Sequence, residues 1–208
     1  MSTSLLKEEL TVLDARTPRE LLPAFYQQYS LGPDGGQSSP YVRVEFTKKF
    51  AIYIPNFKAR KKAVFKHDIH HLATGYPSTL KGETEISAWE IGSGCRRYWA
   101  AYLLDLHGLM MGIPFNPVGV FNAFVRGRRT KNLYSNQWSD EKVMSSTMGE
   151  IKRHLMLNEP GMRFRGKWRD MFLFLLVLVI GLVYSVLSII LLPFILVYTL
   201  YISLVYKT

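Results

Sequence analysis

Cysteine is nearly absent: Cys95 is the single one in 208 residues. That excludes an internal disulfide and any zinc site built from several cysteines. Histidine is scarce too, with five in the chain. Acidic residues are outnumbered, 16 against 26 lysines and arginines, for a formal net charge of +10. Met1 to Leu10 has no apolar run, so no secretory signal is expected there. With 12 Tyr, 12 Phe and 4 Trp the chain has too many large apolar side chains for intrinsic disorder. The most informative absence is at the other end. Residues 171–206 contain no Asp, Glu, Lys, Arg or His.

An uncharged apolar stretch of roughly 18 residues is already a candidate membrane segment, and this one is about twice that. As one straight helix it would measure about 54 Å against roughly 30 Å of hydrocarbon. Pro193 is the strong breaker in its second half. The expectation is therefore a span over about 171–192, a kink at Pro193 and a short second segment, re-entrant or in the membrane plane. A hairpin turning near Ser188 is the alternative. Arg163, Arg165, Lys167 and Arg169 precede the run, with Trp168 among them. Basic residues on that flank place it on the cytoplasmic or an equivalent side. The chain thus divides into a helical soluble domain (1–160), a basic juxtamembrane linker (161–170) and a membrane anchor (171–206).

The domain reads as mainly α. Thr17-Pro18-Arg19-Glu20 is a capping box with proline at the first helical position. Residues 31–40 are loop by composition, and Tyr41–Phe46 alternates like a short strand. Helices are expected from about Asn56 to Ala73, from Leu80 to about Met111, and from Ser139 or Asp140 through Leu157. On a continuous second helix, Gly94, Ala101, Gly108 and Gly112 form a stripe of small residues. Such a stripe admits a flat ligand or a neighbouring helix.

The densest set of ligand-type side chains is Lys66-His67-Asp68-Ile69-His70-His71. His67 and His71, four apart, stack one helical turn above the other and can grip one metal. Asp68, about 100° away, can ligate or orient a histidine. After the helix breaks at Gly75-Tyr76-Pro77, Glu83 in the next helix can close a His-His-carboxylate site with open positions. Glu90 lies two turns on from Glu83 and is a candidate for proton transfer. On the first helix Phe65, Ile69, Leu72 and Tyr76 form the apolar face, so the histidines need the second helix to cover them.

His67-Asp68-x-x-His71, eleven residues and then Glu83 spell HDxxH-x11-E. This resembles the signature of the ubiquinone (coenzyme Q) biosynthesis protein four family. Gly75-Tyr76-Pro77 and Gly82-Glu83 are similar to it as well. The likeness is specific over 67–83, extends over roughly 42–157, and leaves the apolar tail without a counterpart. It implies a mostly helical fold with a divalent metal, such as zinc, iron, manganese or cobalt, held by His67, Asp68, His71 and Glu83. It also implies a groove for an isoprenoid chain, and C1 oxidative decarboxylation of a prenylated hydroxybenzoate. Membrane lipid, a prenylated aromatic or quinone substrate and other quinone-biosynthesis proteins are the partners implied. A non-catalytic lipid- or quinone-binding scaffold is the second reading.

His67-x-x-His70-His71 also matches a histidine box of membrane di-iron desaturases and hydroxylases. Those need roughly eight histidines for two irons, and this chain has five. The basic runs Lys58–Lys66 and Arg126–Lys131 raise the question of nucleic acid. Beside an apolar tail, anionic lipid headgroups suit them better, and no nucleic-acid partner is expected.

Overall fold

The computed structural model describes residues 12–47, 50–95, 98–135, 138–157 and 166–205. Helices dominate, with one small sheet. Helix α1 (Pro18–Gln28) opens with the capping box, where the Thr17 N–H donates to Glu20 Oε2 at 2.8 Å. Strands β1 (Tyr41–Thr47) and β2 (Phe50–Pro55) pair antiparallel, Tyr41 opposite Pro55. The expected strand at 41–46 thus has a partner that alternation alone does not reveal.

Helix α2 (Lys58–Thr74) ends at Gly75, whose φ of +78° is the left-handed conformation glycine accepts without strain. Helix α3 (Leu80–Ser93) is capped by Thr79, which accepts from the Gly82 N–H at 3.3 Å. The single helix expected over 80–111 is in fact two. Gly94 takes φ +103°, α3 stops, and α4 (Trp99–Gly112) starts anew. Gly94 therefore leaves the small-residue stripe. Gly108 and Gly112 instead let α4 close on Ser87 and Thr84 of α3.

Helix α5 (Pro117–Gly127) crosses α3 at backbone contact. A Cβ on Gly92 would lie 2.4 Å from the Phe124 carbonyl oxygen, and one on Gly127 would lie 2.2 Å from that of Trp89. Only glycines permit that approach. The last soluble helix is also split, into α6 (Asp140–Ser145) and α7 (Met148–His154). Thr147 forms a second capping box with Glu150 and restarts the chain. Trp89, Ile69, Ile86, Leu106 and Leu109 are fully buried at the centre.

Helix α8 (Trp168–Val205) is one element of 38 residues. It does not stop at Pro193. Proline removes one hydrogen bond, and the next four residues, Phe194 to Val197, are all apolar, so nothing caps an end there. Of the basic linker, Arg163 and Arg165 lie outside the described residues. Trp168 and Arg169 already belong to α8. By length and composition α8 can cross a membrane.

Candidate metal centre

Helix α2 presents its histidines toward α3 and α4, which supply the cover that the sequence pattern demanded. His71 is fixed first. Its Nδ1 lies 2.8 Å from the carbonyl oxygen of Tyr76, which can only accept. Nδ1 therefore carries the proton, and Nε2 keeps its lone pair. His67 is fixed from the other side, where Nδ1 donates to Glu90 Oε1 at 3.0 Å. Its Nε2 then points at His71 Nε2, 3.1 Å away, and at Glu83 Oε2, 3.2 Å away. Glu83 is positioned by the first turn of α3 and by the Ser78 hydroxyl, which donates to Oε1 at 2.5 Å. His71 Nε2 stands 3.3 Å from that same oxygen.

Two nitrogen lone pairs and a carboxylate thus converge, one ligand atom from each residue within 4.8 Å of the others. Uncompensated, they repel, and the cluster calls for a cation. Two ligands on one ion at about 2.0–2.1 Å are separated by roughly 3.0–3.4 Å at ordinary bond angles, so the spacing suits a metal. A proton on His67 can meet the same need. Burial opposes charge on His67, but the Glu90 and Glu83 carboxylates override it and hold its pKa well above the ordinary value. Burial would raise Glu83, yet the hydrogen bond and positive charge of His67 bring it well below the usual carboxylate range.

Asp68 stands on the flank. Its Oδ2 accepts from the Tyr26 hydroxyl at 3.0 Å, and burial pushes its carboxyl up to about 6. Glu90 is fully buried behind His67. It accepts from His67, from His70 Nδ1 at 2.5 Å and from the Tyr134 hydroxyl at 3.2 Å. The backbone N–H of Leu133 donates to His70 Nε2 at 2.8 Å, which fixes the His70 tautomer. Glu90 therefore sits where it can orient two imidazoles. His67, Glu90 and Asp105 form a second close group of ligand-type atoms. In that group Glu90 is already taken by three donors, and burial together with Glu90 raises Asp105 well above its ordinary value.

A cavity of about 530 Å³ runs past the cluster. His67, Asp68, Glu83 and Asp105 line one part of it, and the 31–40 loop and β1 line another. Arg60 is its only lysine or arginine among the described residues. It stands seven residues before His67 on the same stripe of α2, about 10 Å along the axis. Its guanidinium donates to Asn56 Oδ1 at 2.9 Å, and Asn56 in turn holds the carbonyls of Gly36 and Ser39. The basic runs do not form one stripe. Lys66 is buried against the Leu133 carbonyl, Arg126 donates to that of Thr74, and Arg128 and Arg129 pair with Asp170. Cys95 is buried, and burial beside Asp105 raises its thiol pKa.

Sequence pattern missed Tyr26, Asp105, Tyr134 and the carbonyl of Tyr76. Each reaches the cluster from another turn or helix, with no fixed spacing to mark it. Comparison of the chain with protein-family models, with curated proteins and with solved structures finds no match.

Proposed function

We propose that the chain is a metal-dependent enzyme of a membrane surface, acting on a prenylated aromatic acid that is a quinone precursor. The observation that carries this reading is the convergence of His67 Nε2, His71 Nε2 and the Glu83 carboxylate, with His67 and Glu83 at the wall of a cavity. By resemblance the reaction is oxidative decarboxylation at C1. The ligands are His67, His71 and Glu83, with Asp68 as a fourth or as an orienting group.

The donor set suits zinc, iron, manganese or cobalt. A divalent ion there would supply Lewis acidity toward a phenolate or carboxylate oxygen of the substrate. The protein's own groups do the rest. Glu90 and the Tyr76 carbonyl hold the two imidazoles in the ligating tautomer. Asp68, placed at the cavity wall and protonated below about pH 6, can hold a proton beside the ring. Arg60 offers a cation for a second anionic group of the substrate. Loss of carbon dioxide leaves an electron pair at C1. A hydroxyl can take that position only with a two-electron oxidant and an oxygen source brought from outside the chain. A substrate with an isoprenoid tail resides in lipid, and α8 supplies an apolar surface by which the domain can attach to a membrane.

The test is elemental analysis of detergent-purified protein, wild type beside His71→Ala, followed by turnover of a prenylated hydroxybenzoate. Near-stoichiometric metal in the wild type alone, with product lost in Glu83→Gln, supports the enzyme. Wild-type protein that stays metal-free after reconstitution with all four ions overturns it. If Glu83→Gln loses metal yet still sustains quinone synthesis, the scaffold reading stands instead.

A further inference from the structure

Helix α8 is held to the domain over its first half and again near its far end. Near its start the Asp170 carboxylate pairs with Arg128 at 3.3 Å and with Arg129 at 2.5 Å. One turn on, the Phe174 ring packs against Phe121 and Phe124, with centroids 5.2 and 5.3 Å apart. At Gly181 the helix comes so close to α4 that a Cβ would lie 2.7 Å from Met110 Sδ. Tyr184 packs on His107, ring centroids 4.7 Å apart. Far along the helix, Thr199 Oγ1 accepts the backbone N–H of Tyr53 at 3.0 Å, and Ile202 is buried.

Asp170 and Thr199 are separated by a rise of about 44 Å, against roughly 30 Å of bilayer hydrocarbon. The domain therefore touches α8 over more than the thickness of a membrane. If α8 crossed the bilayer in this state, the domain beside it would be immersed too. The edges of the two-stranded sheet and the 31–40 loop tied to it through Asn56 would then meet lipid, where unpaired backbone groups are costly. Crossing and docking exclude one another.

We propose that α8 lies in the plane of the membrane, sunk in one leaflet as the embedded flank of the domain, and does not cross. The side away from the domain is bare from end to end: Phe172 is 63% exposed, Ile190 62%, Phe194 72% and Leu204 68%. A helix about 10–12 Å across fits within the roughly 15 Å of hydrocarbon in a single leaflet. In-plane helices ordinarily need a polar face toward water, and here the domain covers that side. At the Asp170 end, Arg128 and Arg129 together with Lys167 and Arg169 stand at the level of anionic headgroups. Helices α4 and α5 and the turn between them carry further exposed apolar residues, Met111, Phe115 and Val118.

The inference rests on the membrane attachment proposed above and adds its geometry. The full chain is reconstituted into phosphatidylcholine–phosphatidylserine vesicles with a spin label placed in turn at Phe172→Cys, Ile190→Cys, Phe194→Cys and Leu204→Cys. These side chains face outward, so the fold is undisturbed, and the native Cys95 is buried. Depth is read from the ratio of collision rates with oxygen and with a water-soluble nickel chelate. One common depth within one leaflet is expected at all four sites. A depth that passes through the bilayer centre at Ile190 and returns to water at the far end overturns the in-plane pose while leaving attachment intact. Labels shielded from lipid and broadened by a neighbouring label would show a second copy on this face, and also overturn it. Protein that stays in solution apart from vesicles and detergent defeats attachment itself.

Discussion

Glu90 receives the Nδ1–H of His67 across the α2–α3 interface at 3.0 Å, and so decides which nitrogen of that ring faces Glu83. Glu90→Gln keeps the shape but weakens acceptance from two imidazoles and a phenol. Metal affinity is expected to fall about 10–100-fold, as for loss of an outer partner of a ligating histidine. Titration against a competing chelator measures it. Retained affinity would mean that the α2 backbone alone orients His67.

Ser78 gives a milder case. Its hydroxyl holds Glu83 Oε1, the oxygen that also faces His71. Ser78→Ala is expected to weaken metal binding by about tenfold, the low end of such effects, with the helical circular dichroism unchanged. A loss equal to that of Glu83→Gln would show that Glu83 cannot reach the ion without the serine.

A metal and a proton would compete for one place. Since the Glu90 and Glu83 carboxylates raise the His67 pKa, a metal entering the cluster would have to expel a proton from that ring. Affinity should fall as pH drops. Calorimetry at pH 7 in buffers of different ionisation enthalpy should report about one proton released per ion bound. In His67→Ala that release should vanish.

Asp68 makes a different pH signature. Its folded pKa of about 6 lies above the roughly 3.9 of an unfolded aspartate. The folded state therefore binds the extra proton, so its contribution is full below about pH 4 and is lost as pH rises to 6. The loss amounts to at most ~3 kcal/mol. Asp68→Asn removes this component. The difference in unfolding free energy between wild type and variant, both metal-free in detergent, should change over that window and be flat above it. No change with pH would show the carboxyl to be ordinarily ionised.

The α3–α5 crossing is tested without touching the cluster. Gly127→Ala places a methyl against the Trp89 carbonyl, and the helices must separate. A destabilisation of about 1–3 kcal/mol is expected from overpacking. Thermal unfolding followed by circular dichroism checks it, and an unaltered midpoint would mean the crossing gives way freely.

Much of the cluster was legible because its ligands obey a short-range rule. The four-residue step of His67 and His71 and the capped start of α3 fix three side chains by local geometry alone. The helical class and the apolar tail were equally plain. What stayed hidden depends on contacts between distant segments. Residues 80–111 read as one helix because apolar, helix-forming side chains flank Gly92-Ser93-Gly94 on both sides, but Gly94 turns left-handed and α4 folds back on α3. Glu90 reads as a free carboxylate in sequence, and only Tyr134 and His70 show that its lone pairs are committed. Nor does any local pattern reveal that α8 would dock on β2 through Thr199.

Helix α4 looks two ways. Asp105 and Gly108 border the cavity, while His107 and Met110 bear on α8. The thickness of one helix, about 10 Å, is thus all that stands between the histidine–carboxylate cluster and the apolar flank. The distance from the cluster to that flank is set by packed side chains and not by the reach of a tether. Lengthening the connection ahead of Trp168 would leave that distance as it is.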